Sequence, residues 1–421
     1  MAIACLLLVG RLGAEAPPPV VGRLVSREGT LFARGKPGQD WRTLAAKGEI
    51  RAGDLLVGLP GAVLETGKGA VGLTMLTDVD KDSPYPVIES AVVLHASADA
   101  DLDFTLDRGR VDVTNLKKKG AARVRIRFHD RQWQATLSEP GTRIALQLYG
   151  RWAKGVPFRK EPDPEDEDVP DADLLLVVCK GRIELHHDTC SHLLSAPPGP
   201  ALLHWDNNGE LEESPRKLEK LPDWTRMEHR SRIEKCVEKL RRQVLKSSPR
   251  ESVRAFVKSK DPNERTLGVV LLGALDDLEG LGEVLTATTY ADTWDHAVVV
   301  ARHWLGRCPG QDQILYRHLL DQRGLKPAQA ASILQLLHSF GEAELAQPEQ
   351  YTTLVKFLDN NVLGIRGLAH WHLVRLVPTG KKFAFNPLDP KDQRDKARAQ
   401  WKKLIDDLIA KHELPPKPPA K

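Results

Sequence analysis

ALLHWDNNGELEESPRKLEKLPDWTRMEHRSRIEKCVEKL, residues 201–240, holds the change of period on which the fold turns. Its first segment, ALLHWD, reads as the last strand of a β-rich region. Its final segment opens the run RSRIEKCVEKLRRQVLK (230–246), which puts Ile233, Cys236, Val237 and Leu240 on one face and charges elsewhere. That is the 3.6-residue repeat of an amphipathic helix. Between them, ESPRKLEKLPDW (213–224) is charged and holds Pro215 and Pro222, the composition of a joint with some freedom between two folding units.

Upstream of the joint the text has the period of strands. VVGRLVSREGTLFAR (20–34) is β-rich around a Glu28-Gly29 turn, and AVLETGKGAVGLTML (62–76) gives two runs around Gly67-Lys68-Gly69. LDFTLDRGRVDVTN (102–115) and ARVRIRFHDRQWQATL (122–137) alternate, with Val124, Ile126 and Phe128 on one side and Arg123, Arg125 and Arg127 on the other. The Pro- and acid-rich stretch 156–173 reads as a solvated loop before the strand LLLVVCKGRIELHH resumes, and SAPPGP (195–200) separates the last two strands. Short strands with Gly turns and no helix between them indicate an all-β sandwich, roll or barrel.

Downstream, helical runs follow one another. DPNERTLGVVLLGALDDL (261–278) opens with Asp261 as N-cap, Pro262 at the first turn and Glu264 behind it. Further runs lie at 292–306, 326–341, 347–360, 362–376 and 393–412, suggesting stacked helix pairs or an irregular bundle.

The chain has 421 residues, 28% charged and 41% hydrophobic, with a net charge of +4. Acids and bases are interleaved, so no nucleic-acid footprint stands out. Residues 1–16 resemble a secretory signal whose positive n-region is missing, as if translation began further upstream, and export is the expectation. No later apolar run approaches the ~20 residues of a membrane span. Cys179, Cys190, Cys236 and Cys308 would remain after loss of Cys5. Pairing within each half would join Cys179 to Cys190 and Cys236 to Cys308, but a chain this long needs no staples, and free thiols are the plainer expectation.

Residues 21–58 resemble the opening of a FecR domain, at Gly22, Gly29, Trp41, Leu44, Gly53, Asp54 and Leu56. Residues 65–76, 106–115, 139–150 and 177–209 resemble its later strands and closing hairpins. The helical half resembles the HEAT-like region that follows such a domain in exported planctomycete proteins. The resemblance implies a signal peptide over 1–16, a FecR-like β domain over 19–212, a HEAT-like α domain over 223–412 and a Pro/Lys-rich tail over 413–421. It implies no assigned catalysis. Sigma-factor relay, the known role of FecR itself, is not carried over.

Several clusters invite chemistry. In HHDTCSH (186–192), a turn at Asp188-Thr189 would pair His187 with Cys190 and Leu185 with His192, setting three N/S ligands on one face. The spacing matches no standard ligand pair, so a hairpin tip is the expectation. DVDKDSPYPVIE (78–89) places Asp78, Asp80, Asp82 and Glu89 at calcium-loop positions but has Ser83 where Gly is required. GKGAVG (67–72) has the text of a phosphate loop in strand context and is rejected. Lys117, Lys118 and Lys119, with the arginine face 123–127, form the one local basic patch, a candidate footing for an anionic polysaccharide or lipid surface. His370 and His372 are two apart on a helix and do not face each other, while Arg366 is expected to pair with Asp359.

No catalytic, cofactor or metal residue is therefore assigned. The leading expectation is a non-enzymatic periplasmic or envelope protein, with a protein partner met through its β and helical surfaces. The alternatives are a cytoplasmic regulatory or assembly scaffold, and a metal-dependent or carbohydrate-active hydrolase using His187, Cys190 and His192.

Overall fold

The expected order, β then α, is the order of the computed structural model, which describes residues 17–76, 89–161, 168–209, 214–225, 233–287 and 289–414. The β region is organised around the long strand Leu102–Asn115. Its first part pairs antiparallel with Ser90–His95 and parallel with Ala122–Phe128. Its second part pairs with Val71–Leu76 and Arg143–Arg151. Midway, Gly109 takes a φ of +85°, the pairing with Ser90–His95 slips by one residue, and a Cβ there would overlap the Glu89 carbonyl. Such a bulge re-aims the neighbouring side chains. Arg108 reaches the helical half, where it donates to the Ala274 carbonyl at 2.8 Å.

On one side of this strand, Leu31–Arg34, Leu55–Gly58 and Ser90–His95 form a run, while Val20–Leu24, Ala62–Thr66 and Val71–Leu76 form another. On the other side, Arg143–Arg151 leads to Asp171–Lys180 and Pro200–Asp206, and Ala122–Phe128 leads to Arg131–Leu137, Arg182–His187 and Cys190–Ser195. Leu24, Leu64, Phe104, Val113, Phe128, Trp133, Leu146, Leu176 and Trp205 share the core enclosed between them.

Several strands are covered on both faces. Leu31 and Ala33 enter the β core while Phe32 enters a second core with the helices, and Leu56 and Val57 divide in the same way. In LLLVVC (174–179), Leu174, Leu176 and Val178 face the β core. Leu175, Val177 and Cys179 face Leu218, Leu221 and Trp224. Continuous apolar runs, where one-sided strands would alternate, are the mark of double burial.

The joint is accordingly not a free hinge. Arg216–Lys217 pairs with the edge of Pro200–Asp206, and Trp224 lies buried on the sheet with the Arg110 guanidinium 5.0 Å from its ring centre. The stretch expected as a solvated loop also departs from expectation over 156–161, while 162–167 lie outside the described residues. Phe158 packs into the helical core and its N–H donates to Gln335 Oε1 at 3.0 Å. Just before it, Trp152 stacks on His338 with ring centres 4.6 Å apart.

Eleven α-helices follow among the described residues, from Glu234–Val244 to Lys391–Ala410. Asp261 caps Pro262–Ala274 as expected, accepting from the Asn263 N–H at 2.8 Å. The expected run to 278 breaks at Asp276, whose φ is +56°, and Leu278–Ala287 begins a new helix. Pro249–Val257, opened by a Ser248/Glu251 capping box, is a further helix outside the runs read from the sequence. It packs on Pro262–Ala274, which packs on Ala291–Leu305, while Pro327–His338 and Pro348–Phe357 both pack on Leu363–Leu376.

The two halves meet without a gap. The Trp41 indole N–H donates to the Leu275 carbonyl at 2.9 Å, and Gly150 lies so close to Gly306 that a Cβ on either would overlap the other chain segment. Gly150→Val is therefore expected to lower stability by about 1–3 kcal/mol through overpacking. Urea unfolding followed by tryptophan fluorescence and by far-UV circular dichroism should still give one coincident transition, because the halves share a core. Two separated transitions in the native protein would contradict that.

Candidate functional site

The HHDTCSH hairpin has the expected register: His187 lies opposite Cys190, and Leu185 opposite His192. Asp188 turns the chain with a φ of +47°. His187 is buried beside Trp133, and its Nε2 meets His192 Nε2 at 3.1 Å. Their ring centres are 5.1 Å apart with the planes 29° from parallel, and the two nitrogens share a hydrogen bond as a donor and an acceptor. Burial, then the neighbouring imidazole, lowers the His192 pKa. Cys190 is exposed, and His187, Cys190 and His192 do not come together as a three-ligand group.

Cys236, Asp261 and Glu264 do gather, with ligand atoms within 4.8 Å of one another. No sequence spacing announces them. Each carboxylate has work already: Glu264 accepts from Lys239 Nζ at 2.6 and 2.7 Å, and Asp261 caps its helix.

The other sequence candidates disperse. Gly67–Gly69 is the turn between two strands, with no helix to receive a phosphate. Of the calcium-like run, 78–88 lie outside the described residues, and Glu89 points into the junction between the halves. Of the arginine face, Arg123 is exposed, whereas Arg125 and Arg127 are held by acids. Arg125 pairs with Asp103 at 2.9 Å and Asp99 at 2.6 Å, Arg127 with Asp103 at 2.7 Å, and Lys117 with Asp101 at 2.7 Å. Lys118 and Lys119 alone stay fully exposed among the lysines of that patch. Arg366 does not pair with Asp359. It donates to the carbonyls of Asn360 and Pro387, while Asp359 is taken by Lys391 and Arg398. His370 and His372 diverge as expected, the first toward Phe385 and the second to the Leu336 carbonyl at 2.7 Å. Cys179, Cys190, Cys236 and Cys308 are free thiols. Burial pushes the Cys179 thiol up to about 12, which leaves it protonated and unreactive.

Two buried polar clusters escaped the sequence. At the junction, Glu89, 2% exposed, accepts from Arg108 Nε at 2.8 Å and pairs with Arg307. Arg307 and Arg34 both reach Asp276, at 3.0 and 2.8 Å, and the Trp304 indole donates to the same carboxylate at 3.0 Å. Burial would raise the Glu89 pKa, but Arg307 and Arg108 outweigh it and hold the carboxyl well below its ordinary value. Within the β region, Asp112 accepts from Arg143 at 2.9 Å behind Trp224, leaving its Oδ1 without a partner. Here burial prevails, and the carboxyl rises from 3.8 to about 7.

Open space lies elsewhere, in the helical half. A cavity of about 330 Å³ is walled by Leu281, Trp294, Trp304, Leu337 and Leu368, with Arg323 at its edge. A second, of about 310 Å³, lies on the other side of Trp294 and is lined by Tyr290, Trp371, Phe385, Asp295 and Lys381. The Trp294 indole is fixed between them by donating to the Leu285 carbonyl at 3.2 Å, and it fits because position 367 is glycine: a Cβ there would overlap the ring. Both volumes fall within the range of small-ligand pockets, roughly 300–1,000 Å³.

Glu89→Ala would take from Arg108 and Arg307 the one fully buried carboxylate they share, with an expected loss of about 3–5 kcal/mol in urea unfolding. Asp112 gives a pH signature. Between pH 3.8 and about 7 the unfolded chain releases a proton that the folded chain keeps, so this residue makes stability fall as pH rises across that window. The urea midpoint measured at intervals across it should lose that component in Asp112→Asn.

No family model, curated protein or solved structure matches this chain.

Proposed function

We propose that the chain is a non-enzymatic, exported envelope protein in which a FecR-like β region and a HEAT-like helical region act as one rigid binding body. One observation carries this reading. Among the described residues, the acids and bases gathered at depth between the halves are spent on one another, whereas the two cavities on either side of Trp294 are walled mainly by apolar and aromatic side chains. That division of chemistry suits recognition more than bond-breaking.

The FecR-like reading draws support from the conformations of its glycines. Gly29 and Gly53 take φ values of +77° and +86°, which L-residues rarely adopt. Position 29 also packs against the Arg241 carbonyl, where a Cβ would lie 2.8 Å from the oxygen. The motif tryptophan, Trp41, seals the junction with the helices. A pairing of short helices with a sheet face presents a continuous surface to a protein partner, the role envisaged here.

Fractionation of cells that make the native protein, with sequencing of its first residues, tests the location. The expected result is an envelope protein starting between Glu15 and Pro19. An intact Met1 in the cytoplasmic fraction would reject export.

A further inference from the structure

Arg323 is a cation without an acid. Its guanidinium donates to the Thr286 hydroxyl at 3.2 Å, and no carboxylate pairs with it among the described residues. Arg34, Arg125, Arg254 and Arg265, by contrast, each meet at least one carboxylate. Arg323 lines the 330 Å³ cavity together with the exposed Thr286 and Asn361, which mark its mouth. Next to it stands His318, whose Nε2 is buried with no hydrogen-bond partner. Burial, then the charge of Arg323, lowers the pKa of that imidazole, so it is neutral and can share a hydrogen bond. Deeper in, Leu281, Ala301, Trp304, Leu337 and Leu368 are buried, and they offer hydrocarbon and indole.

An apolar hole with an unpaired cation and an unpaired imidazole at its rim is complementary to one kind of molecule. We infer that this cavity takes the acyl chain of a monoanionic amphiphile, a medium-chain carboxylate, with its headgroup on Arg323 and His318. The chain gains by leaving water in proportion to the apolar area covered. The carboxylate gains a planar, charge-assisted pairing with the guanidinium. The inference rests on the reading of the helical half as a binding surface and names its ligand.

Gly364 makes the cavity testable without disturbing its walls. It lines the space, and a Cβ added there would meet only Ile333 Cδ1, at 3.6 Å, an ordinary contact. Gly364→Leu should therefore fill the cavity from a helical position that tolerates a side chain.

The experiment is isothermal titration of the full chain with decanoate, and with decanol as the uncharged probe, both below self-association. Decanoate is expected to bind at a single site about tenfold tighter than decanol, the worth of one hydrogen-bonded charge pair. Arg323→Met should bring decanoate down to the level of decanol, and Gly364→Leu should abolish binding of both while keeping the native circular dichroism and melting temperature. The inference is overturned by absent decanoate binding, by equal affinity for the two probes, or by binding that survives Gly364→Leu. A protein that fractionates with the envelope yet ignores decanoate rejects the ligand and leaves the envelope reading standing. A cytoplasmic protein that binds decanoate does the reverse.

Discussion

Burying a charge is tolerable only where an opposite charge is fixed beside it, and that constraint joins the two halves of this molecule. Glu89, Asp107, Arg34 and Arg108 come from the β region; Asp276 and Arg307 come from the helices. The decisive pairs cross the junction, Glu89 with Arg307 and Arg34 with Asp276. Separating the halves would break both pairs at once, and retaining them dry and apart would leave uncompensated ions. The apolar contacts around Phe32, Trp41 and Val57 supply area, but the ion pairs fix the relative orientation.

That orientation determines what the rest of the surface can do. With the sheet face of Phe32 and Val57 covered, and the sheet face of Leu175 and Val177 covered by the joint, apolar surface near the β core is consumed internally. Two cavities open between helices farther along the chain, divided by Trp294. The indole can occupy that position because Gly367 carries no side chain. A short local rule, one glycine on one helix, thus shapes two neighbouring spaces with different walls. One is mainly apolar with Arg323 and His318 among its lining, and the other mixes aromatic rings with Asp295 and Lys381.

The arginine ladder on Ala122–Phe128 shows how a charge pattern can mislead. Alternation placed Arg125 and Arg127 on the outer face correctly, and their apparent basic patch vanished because the parallel neighbour Leu102–Asn115 sets Asp103 between them. The paired stretches, 102–105 and 124–127, are separated by the remainder of the long strand, so the pairing is not written in either stretch alone. Arg366 repeats the lesson at smaller scale: the nearest acid in sequence was taken by Lys391 and Arg398 from a later helix.

The sequence by itself determined the β-then-α order, the alternating faces of Ala122–Phe128, the register of the His187–Cys190 hairpin and the capped start of Pro262–Ala274. Each of these depends on neighbours within a few residues, where period, turn and cap act directly. Double burial is also legible in the unbroken runs 31–33, 55–57 and 174–178, which lack the alternation of a one-sided strand. Only the tertiary structure decided the rest: the covered joint, the Glu89 cluster, the raised Asp112 carboxyl and the cavities beside Trp294. These arise where residues from separate parts of the chain meet out of water, and the energy of a buried charge or an unfilled space depends on what stands opposite, which no local pattern specifies.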